Sequence, residues 1–296
     1  MNVRILEARE EIGDVVCEIA EGPIWDGRFE LLRWVDLNRG LVHAFDPARG
    51  QLPSWQLGQH VGFVVPLGED RLLAGLRDGF AVVGADGRCE LSLELEADRP
   101  WMRINDGKAD PAGRVWAGTM GIESPGSEGT LQRLERDWSV RSELRDLTIP
   151  NGIGWSADAA TMYFTDTSWG RIDAFDYDLE RGALSGRRTY VELSRRDGQP
   201  DGLTVDQDGC VWVALWYGGA VHRYTPDGRL DTVVRIPALQ ATSCVFGGSG
   251  LRQLFVTSAA YGLTDTERED HPRSGRVFVC DPGVAGLPTE AFAPVG

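Results

Sequence analysis

Apolar residues in this chain fall into short runs separated by polar, glycine-bearing turns, and the runs recur. Six are strand-length and mostly aromatic-centred: Leu32–Val35, Leu72–Gly75, Val115–Gly118, Met162–Thr165, Val211–Ala214 and Leu254–Thr257. Each is followed, after a loop containing Gly, by an alternating run that ends near an Asp: Val42–Asp46, Phe80–Asp86, Leu131–Asp137, Ile172–Asp176, Val221–Asp227 and Val277–Asp281. Period-two alternation is the mark of strands. Turns such as Asp86-Gly87, Ala112-Gly113, Asp208-Gly209 and Asp227-Gly228 carry hairpin chemistry. A unit of about four short strands, repeated at roughly 40 to 50 residues with almost no helical periodicity, predicts an all-β six-bladed β-propeller. One domain over residues 1–296 is expected, with no linker or low-complexity tract. Blades cannot bury their faces alone, so the ring must close, and the first strand after Met1 is expected to complete the blade that contains Val256. The insert 262–272 reads as a short polar helix or a long loop with a solvated charged face.

Composition narrows the class. An apolar fraction of 42% with ten Trp and ten Phe is ample for packed blades. The formal net charge of −15 argues against nucleic acid or an anionic membrane as partner. The first ten residues hold charges where a signal peptide needs its apolar core, and no segment is long and apolar enough to span a bilayer. A cytoplasmic location is therefore expected, with a monomer or weak homo-oligomer. Cys17, Cys89, Cys210, Cys244 and Cys280 are scattered, form no Cys-x-x-Cys, and read as buried thiols rather than zinc ligands or nucleophiles.

Polar residues that break the repeat mark the candidate site. In a propeller the innermost strands line a central channel. Glu21 (before Gly22-Pro23), Asn151 (in Pro150-Asn151-Gly152) and Asp201 (in Pro200-Asp201-Gly202) occupy the same phase of three units, at a loop that feeds the innermost strand. Asn-Gly and Asp-Gly ordinarily just make turns. Three oxygen-bearing side chains at one phase, including a Glu with no turn preference, are better explained by convergence on the axis around a cation. Hard oxygen donors suit Ca²⁺, Mg²⁺ or Mn²⁺, and Zn²⁺ or Fe²⁺ can also be held. A fourth copy, Arg103-Ile104-Asn105-Asp106-Gly107-Lys108, adds Arg103 and Asn105 as candidate substrate contacts, with Arg103 suited to holding a carbonyl or hydroxyl oxygen. Glu123 falls on the same side, either as a surface carboxylate or within reach of a substrate hydroxyl. His60 stands at the inner strand of the second unit, as a pocket-lining ring or a packed one. No Gly-x-Ser-x-Gly elbow or Ser-His-Asp arrangement is evident.

Taken together, Glu21-Gly22-Pro23, Arg103-Ile104-Asn105-Asp106-Gly107-Lys108, Ala117-Gly118-Thr119-Met120, Pro150-Asn151-Gly152, Pro200-Asp201-Gly202 and Cys244-Val245-Phe246-Gly247-Gly248 resemble the senescence-marker-protein/gluconolactonase family over about Glu18 to Gly283. The resemblance implies a propeller that hydrolyses sugar lactones with one divalent cation in the channel. It assigns Glu21, Asn151 and Asp201 as metal ligands, Arg103, Asn105 and Glu123 as substrate contacts, and Asp201 as general base. The partner implied is a small sugar lactone. The loop 121–129 is short, which implies a small lid. Two other functions stay open at this point: a phosphotriesterase- or aryl-lactone-type hydrolase, and a non-catalytic calcium-binding propeller.

Overall fold

The computed structural model describes residues 3–96, 98–123 and 126–295. Their hairpins gather into six sheets, each running outward from an innermost strand. The innermost strands, in blade order, are Ala20–Asp26, Val61–Leu67, Met102–Ala109, Pro150–Trp155, Gln199–Val205 and Gln240–Gly247. Each packs beside the next, and the sixth returns to the first, so the ring is closed. This is the six-bladed β-propeller that the repeat predicts.

Burial falls off from the axis outward. The second strands, Leu31–Asp36 and Val211–Trp216 among them, are almost wholly buried, whereas the outer strand Ala183–Glu192 is largely exposed. The aromatic residues at the centre of the second strands explain the cohesion between blades. Trp212 is fully buried and meets Phe246 of the sixth blade edge-on at 5.6 Å between ring centroids. Trp116 meets Trp155 of the fourth blade at 6.4 Å. Such pairs add roughly 0.5–1.5 kcal/mol beyond the area they bury.

Ring closure differs from the expectation in one respect. The strand that completes the Val256 blade is the second after the N-terminus, Glu10–Ile12, which pairs antiparallel with Val277–Cys280. The first, Arg4–Glu7, instead adds a fifth, parallel strand to the Asp201 blade by pairing with Leu230–Arg235. It is nearly all exposed, so only Leu6 packs on the core there and its placement rests on edge hydrogen bonding. The C-terminal segment crosses one face of the ring, where Phe292 N–H donates to the Pro66 carbonyl and Ala293 N–H to that of Gly113. Leu287 to Glu290 line a cavity of about 190 Å³ with the far ends of the inner strands, including Ile24, Val65 and Val205. The insert forms the short helix Asp265–Asp270, capped by a reciprocal Thr264–Glu267 pair and exposed except at the half-buried Glu267. Among the described residues no helix is long and apolar enough to cross a membrane.

Candidate active site

Every innermost strand loses register with its neighbour at the same height. In the third, fourth and fifth blades two residues oppose one at this point: Asn105 and Asp106, Asn151 and Gly152, Asp201 and Gly202. Glu21 is the last paired residue before the corresponding break in the first blade, and Gly62 and Thr242 occupy the breaks in the second and sixth. A β-bulge bends the strand and re-aims a side chain that would otherwise stand between sheets. The breaks in the first, third, fourth and fifth blades therefore gather polar groups at one height, at the opposite end of the inner strands from the C-terminal segment, while Gly62 has no side chain and the Thr242 hydroxyl is spent on the Ala20 carbonyl and Thr257.

Asp201 thus sits inside a strand, in place of the Pro-Asp-Gly turn that the sequence suggests. The glycine after it serves close packing between blades. A Cβ on Gly202 would lie 2.1 Å from Ser243 Oγ, and one on Gly152 2.5 Å from the Asp201 carbonyl oxygen.

A hydrogen-bond chain runs from blade to blade around the mouth. Arg103 donates to Asn105 Oδ1 at 2.6 Å, and Asn105 Nδ2 donates to Asn151 Oδ1 at 3.0 Å and to the Pro150 carbonyl at 2.9 Å. Asn151 Nδ2 donates to Thr167 Oγ1 at 2.8 Å, and Thr167 donates in turn to the Pro200 carbonyl at 2.8 Å. The Asn151 amide is thereby fixed, with its oxygen on the side of Asn105.

The carboxylates are treated differently. Glu21 accepts one hydrogen bond, from its neighbour Gly22 N–H at 3.2 Å, and Asp201 Oδ1 is buried with no partner at all. Burial, followed by the charge of Asp106, pushes the Glu21 carboxyl up to about 8. Burial, then Glu21 and Asp106, hold Asp201 well above the usual carboxylate range. Arg103 is drawn down to about 10 by burial, opposed by Glu21, and remains a cation at neutral pH. An orphaned buried carboxylate oxygen beside a second acid and a fixed amide oxygen is a donor set that fits a divalent cation, which would relieve the repulsion among its members.

Glu123 stands apart from this group. It is exposed in the loop after Val115–Gly121, beside Pro100, Trp101 and Ile122, and has no hydrogen bond to the ring. Ser124 and Pro125 of the same loop lie outside the described residues. His60 is half-buried at a rim cavity shared with Gln59 and Arg77, its Nδ1 without a partner. Burial, then the charges of Arg103 and Arg77, lower its pKa.

Three residues in and around the channel escaped the sequence reading. Asp106 shares the bulge with Asn105 and is the third acid of the group. Lys108 donates to the Leu203 carbonyl at 2.7 Å and is the charge that offsets Asp106. Both lie in the stretch that singled out Arg103, and a two-residue bulge is the signal that would have found Asp106. Thr167 comes from the loop after a second strand, and no periodicity marks it.

Fold and site define a six-bladed propeller whose channel mouth gathers unpaired acids, an amide pair and one arginine. Residues 19–260 match the SMP-30/Gluconolactonase/LRE-like region, and the chain belongs to that family. It is 34% identical over 284 residues to regucalcin of Xenopus laevis, covering 93% of this chain and 95% of that one. It is 36% identical over 281 residues to a pentonolactonase of Haloferax volcanii, covering 93% and 94%. A solved structure described as a calcium-binding protein, regucalcin from Agrobacterium tumefaciens, superposes with a TM-score of 0.94 at 28% identity, over 98% of this chain and 99% of that one.

Proposed function

We propose that this protein is a divalent-cation-dependent hydrolase that opens sugar lactones of the aldonolactone class to aldonic acids. Family membership and the name of the pentonolactonase relative support the reaction class. The observation that carries the cation is the unpartnered Asp201 Oδ1, buried beside Glu21 and the fixed Asn151 oxygen. Glu21, Asn151 and Asp201 would hold the ion, and the calcium-binding description of the Agrobacterium relative favours Ca²⁺ among the hard cations. When bound, the cation would supply Lewis-acid polarisation of the lactone carbonyl.

The remaining work falls to the chain itself. Asp201 has two carboxylate oxygens, one for the ion and one to take a proton from the attacking water. Its apolar, acid-rich surroundings raise its proton affinity, which makes it the stronger base once ionised. Water adds to the carbonyl carbon, and Arg103, held by Asn105, faces the oxygen on which negative charge develops. The ring C–O bond then breaks, and Asp201 returns its proton to the departing ring oxygen, which becomes the hydroxyl of the acid. Arg103 and Asn105 are the proposed substrate contacts, and Glu123 is proposed as a more peripheral one. The test is a panel of γ- and δ-aldonolactones, an aryl lactone and a phosphotriester, offered with Ca²⁺, Mg²⁺, Mn²⁺ or Zn²⁺ to the parent and to Asp201→Asn. Hydrolysis confined to sugar lactones and lost in the variant is expected. No turnover of any sugar lactone, or full activity in Asp201→Asn, would overturn the reading.

A further inference from the structure

A second cluster of metal-ligand side chains lies where the ring closes, outside the innermost strand, with Asp36 opposite Ala20. Cys17, Asp36 and His43 are all buried, and each offers one ligand atom within 4.8 Å of the other two. Among the described residues no other group of three His, Cys, Asp or Glu side chains meets that spacing. Cys17 is in the connection entering the first blade, and its N–H donates to the Gly275 carbonyl of the sixth. Asp36 ends the second strand of the first blade, and His43 lies on the third.

Two of these side chains are already fixed as ligands are. His43 Nδ1 is 2.6 Å from Ser54 Oγ, while its Nε2 is buried with no hydrogen-bond partner. With the Nδ1 proton donated to Ser54, the orphaned Nε2 presents a lone pair, which is how metal-binding histidines are oriented. The Asp36 carboxylate is held by the N–H groups of Glu18 at 3.0 Å and Ile19 at 3.3 Å and by Arg39 at 3.2 Å. No donor on the ring satisfies the lone pair of His43, whose imidazole packs against Trp34 at 5.3 Å between ring centroids.

We infer that Cys17, Asp36 and His43 form a second metal site, for Zn²⁺ or a similar borderline ion. Sulfur and imidazole donors select such ions over Ca²⁺ or Mg²⁺, which the all-oxygen channel set suits. The Cys17 S–H proton leaves to solvent as the S–metal bond forms, and the thiolate with the Asp36 carboxylate, which Arg39 also pairs at 3.2 Å, offsets most of the charge of the dication. The ion would join the entering chain to two strands of the first blade at the seam with the sixth.

The test uses Co²⁺ and Zn²⁺ on the full chain, stripped with a chelator and refolded with the metal present so that a closed entry route does not hide the site. With Co²⁺, the parent and Asp201→Asn should both show a thiolate-to-cobalt charge-transfer band, which an all-oxygen site cannot produce. Cys17→Ser and His43→Gln should lose it. Zn²⁺ should raise the thermal midpoint of the parent but not of Cys17→Ser. Absence of the band in the folded parent, or its persistence in Cys17→Ser, overturns the site whatever the variants' stabilities.

Discussion

Asp201 and Asp206 lie five residues apart at the two ends of one innermost strand, and their surroundings are opposite. Asp206 accepts from the backbone N–H of Asp208 at 2.9 Å and of Cys210 at 3.0 Å. It also accepts from the indole of Trp212 at 2.8 Å and pairs with Arg223 at 2.8 Å. Asp201 Oδ1 accepts nothing. The anchored acid recurs in other blades. Asp110, five residues beyond Asn105, takes the Arg114 guanidinium, the Trp116 indole and the Tyr177 hydroxyl, and Asp26, five beyond Glu21, takes Arg28 and Arg33. One end of each strand uses its acid to hold a turn and a neighbouring strand together. In the fifth blade the other end leaves Asp201 Oδ1 without a protein partner, a cost that persists only where something else is to be bound.

The largest effect should come from exchanging Asp201 for Asn. Turnover of an aldonolactone is expected to fall about 10²- to 10⁴-fold, the range for loss of a general base, while the thermal midpoint of the metal-free protein holds or rises because repulsion with Glu21 is relieved. A midpoint that falls instead would make Asp201 a structural acid like Asp206. Asp206→Ala should do the reverse. Arg223 keeps Asp208 and Asp231, but the buried N–H groups of Cys210 and Trp212 lose their acceptor, which is expected to cost about 1–3 kcal/mol per stranded group in denaturant unfolding, with turnover of the folded protein kept.

A smaller effect is expected at Thr167, which touches Asn151 without facing the axis. Thr167→Val should weaken divalent-cation binding about ten-fold, as removal of an outer partner of a ligand does, measured by calorimetry, while turnover at saturating cation survives. The smallest is a pH effect at Asp26. Burial pushes its carboxyl up, but hydrogen bonds and charges from Arg28 and Arg33 outweigh this and hold it below the ordinary 3.8. A carboxyl with a lowered folded pKa stabilises above its unfolded value and loses that contribution as pH falls through the folded one. The stability difference between parent and Asp26→Asn should be constant near neutral pH and shrink below about pH 4, followed by urea unfolding at each pH.

The architecture was legible because blade periodicity is written in local chemistry: aromatic-centred runs, alternating runs and Asp-Gly turns at a fixed spacing. The common height of Glu21, Asn151 and Asp201 on their strands was legible for the same reason, since a shared phase places residues alike in each blade. The bulges were not, because the extra residue is defined by the partner strand. That is why Asp106 was passed over beside Asn105, and why Gly152 and Gly202 read as turn residues when neighbouring backbones require them. Thr167 and the Cys17–Asp36–His43 group depend on contacts between segments that no single-strand pattern encodes. The edge strand Arg4–Glu7 carries too little apolar surface to announce which blade it joins.

The most direct measurement is aldonolactone hydrolysis by chelator-stripped protein before and after a divalent cation is restored. Hydrolysis should be absent from the stripped protein and return with one equivalent of cation, and Glu21→Gln and Asp201→Asn should fail to recover it. Undiminished hydrolysis by stripped, folded protein would contradict the assignment of the unpaired acids to a cation.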